Sequence, residues 1–300
     1  MHNFSKNVTI RPHCVKVVHT GVRQTIVKLF VKQLEKKRLL IYTQNMAKVI
    51  SFSNQKGGVG KTTTCVNLAA YIALSGKKVL VVDMDPQGNA SSALGFFERT
   101  DKKSVYEVLC NNLSVGSAVK KTEIENLFII TSSNNLAGAE LELAQVVIGR
   151  ERVLEEKIEE IKAFYDYIFI DCPPSLGLLT VNALCACDGV VVPIQCEYFA
   201  LEGLSQMMNT IKLVKKFLKP EISVEGVVLT LYDSRSKLSK EVGSEIDKFF
   251  ANKVFSVKIP RNVRLAEAPS YGKPVALYDN KCAGAVAYKA LAEEFSEKIK

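Results

Sequence analysis

The sequence has 300 residues, of which 47% are hydrophobic and 24% charged, enough for one large α/β domain or two small ones. Its apolar runs fall short of the roughly 18 residues of a membrane span, so it predicts no membrane helix. The net charge of +9 divides into +8 for residues 1–45, −4 for residues 46–199 and +5 for residues 200–300. This distribution favours an anionic partner for the C-terminal third, although a solvated surface is the simpler explanation for any single lysine.

Cysteine and histidine usage limits the chemistry that the chain can perform. The eight cysteines lie mostly in apolar runs and form no C-x-x-C pair, which indicates buried thiols in a reducing cytoplasm rather than disulfides. All three histidines precede residue 46, so the remainder of the chain has neither a histidine base nor a histidine metal ligand.

A Gly-rich loop separates the first predicted strand, residues 48–52, from the first predicted helix, residues 65–74, which ends before Gly76. Residues 56–63 read Lys-Gly-Gly-Val-Gly-Lys-Thr-Thr. Glycines allow a tight turn whose N–H groups point inward, and the helix N-terminus adds partial positive charge, so the loop predicts a phosphate site. Lys61 is expected to contact the β- and γ-phosphates, and the Thr62 hydroxyl to bind Mg²⁺. The alternative is a Gly-rich turn with an exposed lysine.

Lys56 places a second cation in this loop, five residues before Lys61. The loop resembles the deviant Walker A motif of the family that includes ParA/Soj partition ATPases, the division regulator MinD and the nitrogenase iron protein. In that family the first lysine reaches the nucleotide of the partner subunit, which implies that Lys56 acts in trans. The resemblance implies these nucleotide-binding residues: Lys56, Gly57, Gly58, Val59, Gly60, Lys61, Thr62, Thr63, Pro260 and Asn262.

The second predicted strand, residues 77–83, leads into Asp-Pro-Gln-Gly-Asn-Ala-Ser at residues 85–91. Carboxylates at the carboxyl end of a parallel strand lie where open α/β sheets bind ligands. The segment resembles switch I of ParA/Soj proteins. The resemblance implies that Asp85 orients or activates the attacking water and that Asp83 supports Mg²⁺ through its hydration shell. Lys56, Lys61 and Asp85 therefore form the predicted catalytic set, and the alternative for residues 85–88 is an ordinary turn.

A third buried strand, residues 166–171, ends at Asp171 before Pro173 and Pro174. This is the Walker B position, where a carboxylate accepts a hydrogen bond from the Mg²⁺-bound water or threonine. Thr62, Asp83 and Asp171 are thus the predicted Mg²⁺ residues. The two prolines stiffen a loop expected to act as switch II, although Pro-Pro also occurs in plain surface turns.

The remaining elements complete a single doubly wound, mostly parallel β-sheet flanked by helices, the fold of P-loop NTPases. The further predicted strands are residues 126–131, 189–194, 226–233 and 254–259, and the further predicted helices are residues 152–161, 201–218 and 283–299. Helix 201–218 is expected to bury Leu204, Met208, Ile211 and Leu218 and to present Lys212, Lys215, Lys216 and Lys219 on one face.

Residues 259–275 read Ile-Pro-Arg-Asn-Val-Arg-Leu-Ala-Glu-Ala-Pro-Ser-Tyr-Gly-Lys-Pro-Val and resemble the ParA/Soj signature at this place. In the family this segment lies near the adenine. Positions corresponding to Arg235 and Arg264 are implicated there in DNA binding. The predicted DNA-binding residues are therefore Arg235 and Arg264, together with Lys237 and Arg261, which lie beside them in the sequence.

The resemblance covers residues 46–300 and implies a weakly active, ATP- and Mg²⁺-dependent ATPase. In this interpretation ATP drives homodimerisation and nonspecific DNA binding, and a ParB-type partner stimulates hydrolysis and releases the DNA. We therefore expect a cytoplasmic, nucleoid-associated protein without stable membrane association, whose cargo is a chromosome or a plasmid. Two alternatives are an Fe–S electron carrier, which the scattered cysteines disfavour, and a MinD-like membrane-bound regulator, which the three glutamates of the last helix disfavour.

Residues 1–45 are predicted to be a basic extension outside the ATPase domain, with one helix candidate at residues 22–41. Met46-Ala47-Lys48 resembles the usual start of ParA-type proteins. The extension is therefore either an upstream part of the reading frame or a basic arm that contacts membrane or nucleic acid.

Overall fold

The computed structural model describes residues 46–299. A seven-stranded sheet with the order β3-β4-β2-β5-β1-β6-β7 organises this part of the chain. All neighbouring strands are parallel except β3 and β4, which are antiparallel. The strands are β1 Lys48–Phe52, β2 Val79–Asp83, β3 Val119–Lys121, β4 Leu127–Ile130, β5 Tyr167–Asp171, β6 Gly189–Gln195 and β7 Val224–Thr230. The predicted doubly wound α/β fold is confirmed.

Helices cover both faces of the sheet. They are α1 Lys61–Leu74, α2 Asn89–Ala93, α3 Val105–Cys110, α4 Val115–Ala118, α5 Ala139–Ala144, α6 Val153–Glu159, α7 Leu178–Ala186, α8 Ala200–Phe217, α9 Lys237–Phe250, α10 Val263–Glu267, α11 Val275–Tyr278 and α12 Ala283–Lys298. Side chains alternate along each strand, so Ile50 and Phe52 pack in one core with α1 and α12, while Val49 packs in the other with α7 and α8. The central strands are buried on both faces, as parallel strands require.

This topology places the predicted site at one edge of the sheet. The Gly-rich loop follows β1, Asp85 follows β2, and Asp171 ends β5, and these three strands are neighbours in the order β2-β5-β1. Because all three are parallel, their carboxyl ends meet at the same edge.

The predicted strand at residues 254–259 is wrong. This segment lies beside β7 but forms only isolated bridges, Val227 to Val254 and Tyr232 to Pro260. Phe255 N donates to Val227 O (2.9 Å) and Ile259 N to Leu229 O (2.8 Å). The two donors are four positions apart in this segment, whereas their acceptors are only two positions apart in β7. A regular ladder of hydrogen bonds therefore cannot form. The predicted strand 226–233 likewise ends early, at Thr230.

Helix α8 corrects one part of the predicted lysine face. Lys212, Lys215 and Lys216 are exposed, but Lys219 is buried. The helix ends at Phe217 and the chain turns inward, so the Lys219 ammonium lies 3.2 Å from Glu155 Oε1 and donates to Cys185 O at 2.6 Å.

The predicted core of α8 is also corrected. Leu204 and Ile211 are buried as predicted, Met207 is fully buried in place of Met208, and Leu218 is partly buried.

Other predictions have mixed outcomes. Seven cysteines in the described part of the chain are free, and five of them are buried. Sequence patterns did not predict β3 or the helices α2 to α5, α7 and α9 to α11. β3 and the shortest helices have too few residues for a periodic signal, whereas α9 has 14 residues and Ser236 as its N-cap and was missed despite these local signals. The helix candidate at residues 22–41 lies outside the described residues. Among residues 46–299, no helix has both the length and the apolar character needed to cross a membrane.

Candidate nucleotide-binding site

The Gly-rich loop has the conformation that its glycines were expected to allow. Gly58 and Gly60 adopt left-handed backbone conformations (φ 73° and 81°), which a residue with a Cβ adopts only with strain, whereas Gly57 does not. Helix α1 begins directly at Lys61, four residues earlier than predicted, and Thr64 N donates to Gly60 O at 2.9 Å. The N–H groups of residues 61–63 therefore remain available at the helix N-terminus, where they can bind an anion.

Lys61 is the buried one of the two lysines in this loop. Its side chain is buried, and its ammonium donates to Lys56 O at 3.0 Å. Burial lowers the pKa of Lys61, while Asp171 opposes the shift. The loop is also fixed from β7, because Thr230 Oγ1 donates to Val59 O at 2.8 Å. Lys61 is thus held across the loop, where a bound phosphate would lie.

Asp171 has one carboxylate oxygen without a partner. Thr62 Oγ1 donates to Asp171 Oδ2 at 2.7 Å, whereas Oδ1 is buried and accepts no hydrogen bond from the described residues. Burial, followed by the nearby charge of Asp83, raises the pKa of Asp171 well above its usual range. A free carboxylate oxygen beside a hydroxyl suits Mg²⁺, which binds oxygen ligands and keeps several of its waters. The residues present fit the implied metal.

Both carboxylate oxygens of Asp83 accept hydrogen bonds within the chain, which the sequence did not indicate. Its Oδ2 accepts from Ser91 N (2.8 Å) and Ser91 Oγ (2.6 Å), and its Oδ1 accepts from Asp85 N (3.2 Å). Burial raises the pKa of Asp83 to about 6, although the Ser91 hydrogen bonds oppose the shift. Asp83 therefore fixes the segment that follows β2, and its support of Mg²⁺ through water stays a prediction.

Asp85 lies in a turn that closes on itself. Gly88 N donates to Asp85 O at 2.8 Å, Gln87 N donates to Asp85 Oδ1 at 2.9 Å, and Ser132 Oγ donates to Asp85 O at 2.7 Å. The residue is 5% exposed, and it lines the cavity described next. Its carboxylate thus has a defined position at the site.

A cavity of about 600 Å³ joins the Gly-rich loop, Lys61, Thr62 and Asp85 to the segment after β7. The predicted site residues Val59, Asp83 and Asp171 are not in its lining. Its lining includes these predicted site residues: Gly57, Gly58, Gly60, Lys61, Thr62, Thr63, Asp85, Pro260 and Asn262. It also includes residues that sequence reasoning missed, among them Asn67, Leu231 and Tyr288. Asn67 connects two walls, since its Nδ2 donates to Thr63 O (2.8 Å) and its Oδ1 accepts from Val275 N (2.7 Å). A polar residue inside an otherwise apolar helix was the available signal.

Leu231 forms part of the cavity wall in a left-handed conformation (φ 48°). This turn ends β7 and directs Tyr232 to the neighbouring segment, where Tyr232 N donates to Ile259 O at 2.9 Å. The two segments are therefore neighbours at Tyr232 and Pro260.

Lys56 lies outside the cavity lining and forms an ion pair with Glu197, which follows β6. Both side chains are 34% exposed. The carboxylate is 141 residues from the loop in sequence, and sequence reasoning did not find it. In this structure the second loop lysine is therefore paired within its own subunit.

The predicted DNA-binding residues are all at the surface. The side chains of Arg235 and Lys237 are 92% and 90% exposed, and Arg261 is exposed. Arg264 is half-exposed and pairs with two carboxylates, Glu267 at 2.8 Å and Asp279 at 3.5 Å. Arg235 and Lys237 follow Tyr232 in the chain, and Arg261 and Arg264 follow Pro260. The four residues therefore belong to two basic stretches that start from neighbouring points at the edge of the cavity.

A loop of this form, with a lysine and threonine at the start of a helix and an aspartate at the end of a neighbouring strand, defines a P-loop nucleoside triphosphatase. Residues 47–224 match a family model described as an AAA domain. The Soj sporulation initiation inhibitor protein of Bacillus subtilis is 54% identical over 249 residues, covering 83% of this chain and 98% of that protein. The chromosome partitioning protein ParA of Caulobacter vibrioides is 49% identical over 252 residues, covering 83% and 94%.

Solved structures agree with this class. The cell division ATPase MinD of Pyrococcus furiosus superposes with a TM-score of 0.70 at 27% identity, over 84% of this chain and 99% of that one. A cobyrinic acid a,c-diamide synthase of Mycobacterium smegmatis, with ADP and magnesium bound, superposes with a TM-score of 0.72 at 35% identity, over 83% and 93%. The chain belongs to the ParA/Soj family of chromosome-partitioning ATPases. This confirms the family that the loop and residues 259–275 indicated, and the protein is an ATPase.

The buried carboxylate pair predicts a pH-dependent stability. Since folding raises the pKa values of Asp83 and Asp171, these groups stabilise the fold below pH about 4, and that contribution is lost as the pH rises through about 6 for Asp83. Asp171→Asn removes one of the two charges and keeps an acceptor for Thr62. We expect it to raise the free energy of unfolding of the nucleotide-free protein at pH 7.5, because the buried site then carries less negative charge.

Urea unfolding between pH 4 and pH 8 measures this effect. The difference between Asp171→Asn and wild type should vanish at the acidic end of the range. If wild type is the more stable of the two proteins at pH 7.5, the buried Asp83 and Asp171 carboxylates do not destabilise the fold at this pH, and the prediction is wrong.

Proposed function

We propose that the chain is an ATP- and Mg²⁺-dependent DNA partition protein, in which ATP drives homodimerisation and nonspecific DNA binding. The observation that carries this proposal is the shared cavity: Lys61, Thr62 and Asp85 line one side, and Pro260 and Asn262 line the side that continues into the basic stretches. One bound nucleotide would thus contact both the hydrolytic groups and the segment next to the candidate DNA surface.

Hydrolysis follows from the positions of these groups. Phosphate oxygens accept hydrogen bonds from the loop N–H groups and from the Lys61 ammonium, which exchanges its bond to Lys56 O for the phosphate. Asp85 orients a water for in-line attack on the γ-phosphorus, and ADP and phosphate are the products. Mg²⁺, held near Thr62 and Asp171, would neutralise the charge of the β- and γ-phosphates. The catalytic contribution is positioning and charge neutralisation, which is compatible with slow intrinsic turnover.

Dimerisation would use Lys56. Lys61 and the loop amides suffice for phosphate binding within one subunit, and Lys56 is turned toward Glu197. To reach a nucleotide held by a second copy of the chain, the Lys56 ammonium has to exchange Glu197 for the partner's phosphates. The exchange replaces one carboxylate with a more highly charged phosphate group, so it favours the ATP-bound dimer.

DNA binding would use the two basic stretches next to the cavity. Arg235 and Lys237 have almost fully exposed side chains, which suits contact with phosphates. Dimerisation doubles the number of such contacts, and affinity for DNA rises steeply with the number of phosphates contacted. DNA binding of this kind would place the dimer on the nucleoid, and a ParB-type partner that completes the hydrolytic site would release it.

Charge reversal tests the DNA surface. We expect Arg235→Glu combined with Arg264→Glu to lower ATP-dependent DNA affinity at least about 100-fold, because each reversal removes a phosphate contact and adds a repulsion. ATP affinity should remain unchanged. The matched control is Lys77→Glu combined with Lys248→Glu, which changes the net charge equally at exposed lysines away from the cavity.

The measurement is DNA retention in a mobility-shift assay with ATP, at a fixed salt concentration. DNA binding that survives Arg235→Glu and Arg264→Glu would move the surface to the exposed lysines of α8, namely Lys212, Lys215 and Lys216. Equal losses in the control variant would mean that net charge, rather than a defined surface, determines binding.

A further inference from the structure

Three consecutive carbonyl groups of the Asp85 turn accept hydrogen bonds from side chains of another part of the chain. Ser132 Oγ donates to Asp85 O at 2.7 Å. The two terminal nitrogens of Arg99 donate to the next two carbonyls, those of Pro86 and Gln87. The turn is therefore held through its backbone, and the Asp85 carboxylate stays at the cavity.

The guanidinium of Arg99 suits this position by its shape. Its nitrogens form a rigid planar fork, so one side chain can donate to two adjacent carbonyls, which the single ammonium of a lysine cannot do with the same geometry. Gly88 provides the necessary space, since a Cβ at this position would lie 2.2 Å from Arg99 Cζ. A side chain at position 88 would therefore displace the guanidinium from its present place, and the left-handed conformation of Gly88 (φ 63°) also favours glycine there.

The backbone of Arg99 is itself fixed to the sheet. Asn134 N donates to Arg99 O at 3.0 Å, and Asn134 lies two residues after Ser132, just beyond the end of β4. Ser132 N also donates to Ser91 Oγ at 3.0 Å, on the other side of the turn. The backbone of Arg99 is therefore hydrogen-bonded to the segment that follows β4, to which Ser132 also belongs.

We propose that Arg99 is a positioning residue for ATP hydrolysis, which fixes the Asp85–Gly88 turn and thereby the carboxylate that orients the attacking water. This inference rests on the proposed role of Asp85. Without the guanidinium, the Pro86 and Gln87 carbonyls bond to solvent and the turn loses two of its side-chain restraints. A small displacement of a positioned group is enough to slow a reaction whose catalysis depends on alignment.

The test compares Arg99→Ala, Arg99→Lys and Asp85→Ala with wild type, and uses Arg150→Ala as the matched control. Arg150 is also a partly exposed arginine that approaches a carbonyl, Ala144 O at 3.5 Å, but it lies outside the site. The measurements are kcat from phosphate release at saturating Mg²⁺-ATP, the Kd for ATP from equilibrium binding, and the Tm. We expect Arg99→Ala to lower kcat about 10- to 100-fold with the Kd for ATP changed less than twofold.

The kcat of Arg99→Lys should lie between those of Arg99→Ala and wild type, because lysine keeps the charge and one donor nitrogen. The kcat of Arg150→Ala should match that of wild type. A kcat for Arg99→Ala within twofold of wild type would overturn the inference. So would a fall in kcat matched by equal losses in ATP affinity and Tm in both Arg99 variants, since this would show a purely structural role. If Asp85→Ala hydrolyses ATP at the normal rate, the proposed role of Asp85 is wrong and the inference about Arg99 loses its basis. If Asp85→Ala is slow but the Arg99 variants hydrolyse ATP normally, only the inference about Arg99 is wrong.

Discussion

Replacement of Lys56 by alanine is expected to abolish ATP-dependent dimerisation while leaving ATP binding to the single subunit intact. The reason is a division of tasks within one loop. Lys61 lines the cavity, where in the proposed mechanism it contacts the phosphates of its own subunit, whereas Lys56 lies outside the lining and pairs with Glu197. Light scattering with and without Mg²⁺-ATP measures the dimer, and equilibrium ATP binding serves as the check that the site is intact.

Glu197→Gln is the companion variant. It removes the carboxylate that competes for the Lys56 ammonium, and both side chains are partly exposed, so the pair is worth at most about 1 kcal/mol. Because both subunits of the dimer exchange this pair, we expect dimerisation to tighten by no more than about 30-fold. An ATP-dependent dimer that persists in Lys56→Ala would remove the trans assignment, and a weaker dimer in Glu197→Gln would show that Glu197 supports the dimer instead of competing with it.

Asp85→Ala is expected to bind ATP and to hydrolyse it at least about 100-fold more slowly. The phosphate-binding groups do not include this carboxylate, so affinity should be preserved and the ATP-bound dimer should accumulate. Asp101→Ala is the matched control, because Asp101 is an aspartate on a nearby loop that pairs with Lys120 outside the cavity. Single-turnover phosphate release measures the effect, and a normal rate in Asp85→Ala would disprove the water-orienting role.

Local sequence patterns predicted those parts of the molecule that depend on local structure. The Gly-rich loop, the buried strands β1, β2 and β5 and the terminal helix α12 each have a period or a motif of their own. Asp83 and Asp171 could be placed because strand ends in parallel sheets meet at one edge. Family resemblance then supplied the roles of Lys56 and Asp85, which no local pattern assigns.

Helix α9 was missed although its N-cap signal is local, but other features that escaped prediction depend on residues distant in sequence. Glu197 meets Lys56 only because β6 lies next to β1, and Lys219 is buried only because Glu155 and the Cys185 carbonyl are near it. The apolar run at residues 254–259 has the composition of a strand, but its spacing against β7 prevents a ladder. The amino-acid composition of such a segment indicates that it is buried, but not whether it pairs with a neighbouring strand.

Leu231 has a left-handed backbone conformation, which is unfavourable for a residue other than glycine. For a residue with a Cβ this conformation costs about 1–2 kcal/mol, and glycine would occupy it with little strain. Leucine instead provides an apolar wall for the cavity at the point where β7 ends. Leu231→Gly is therefore expected to relieve the backbone strain and, because it removes part of the cavity wall, to weaken nucleotide binding.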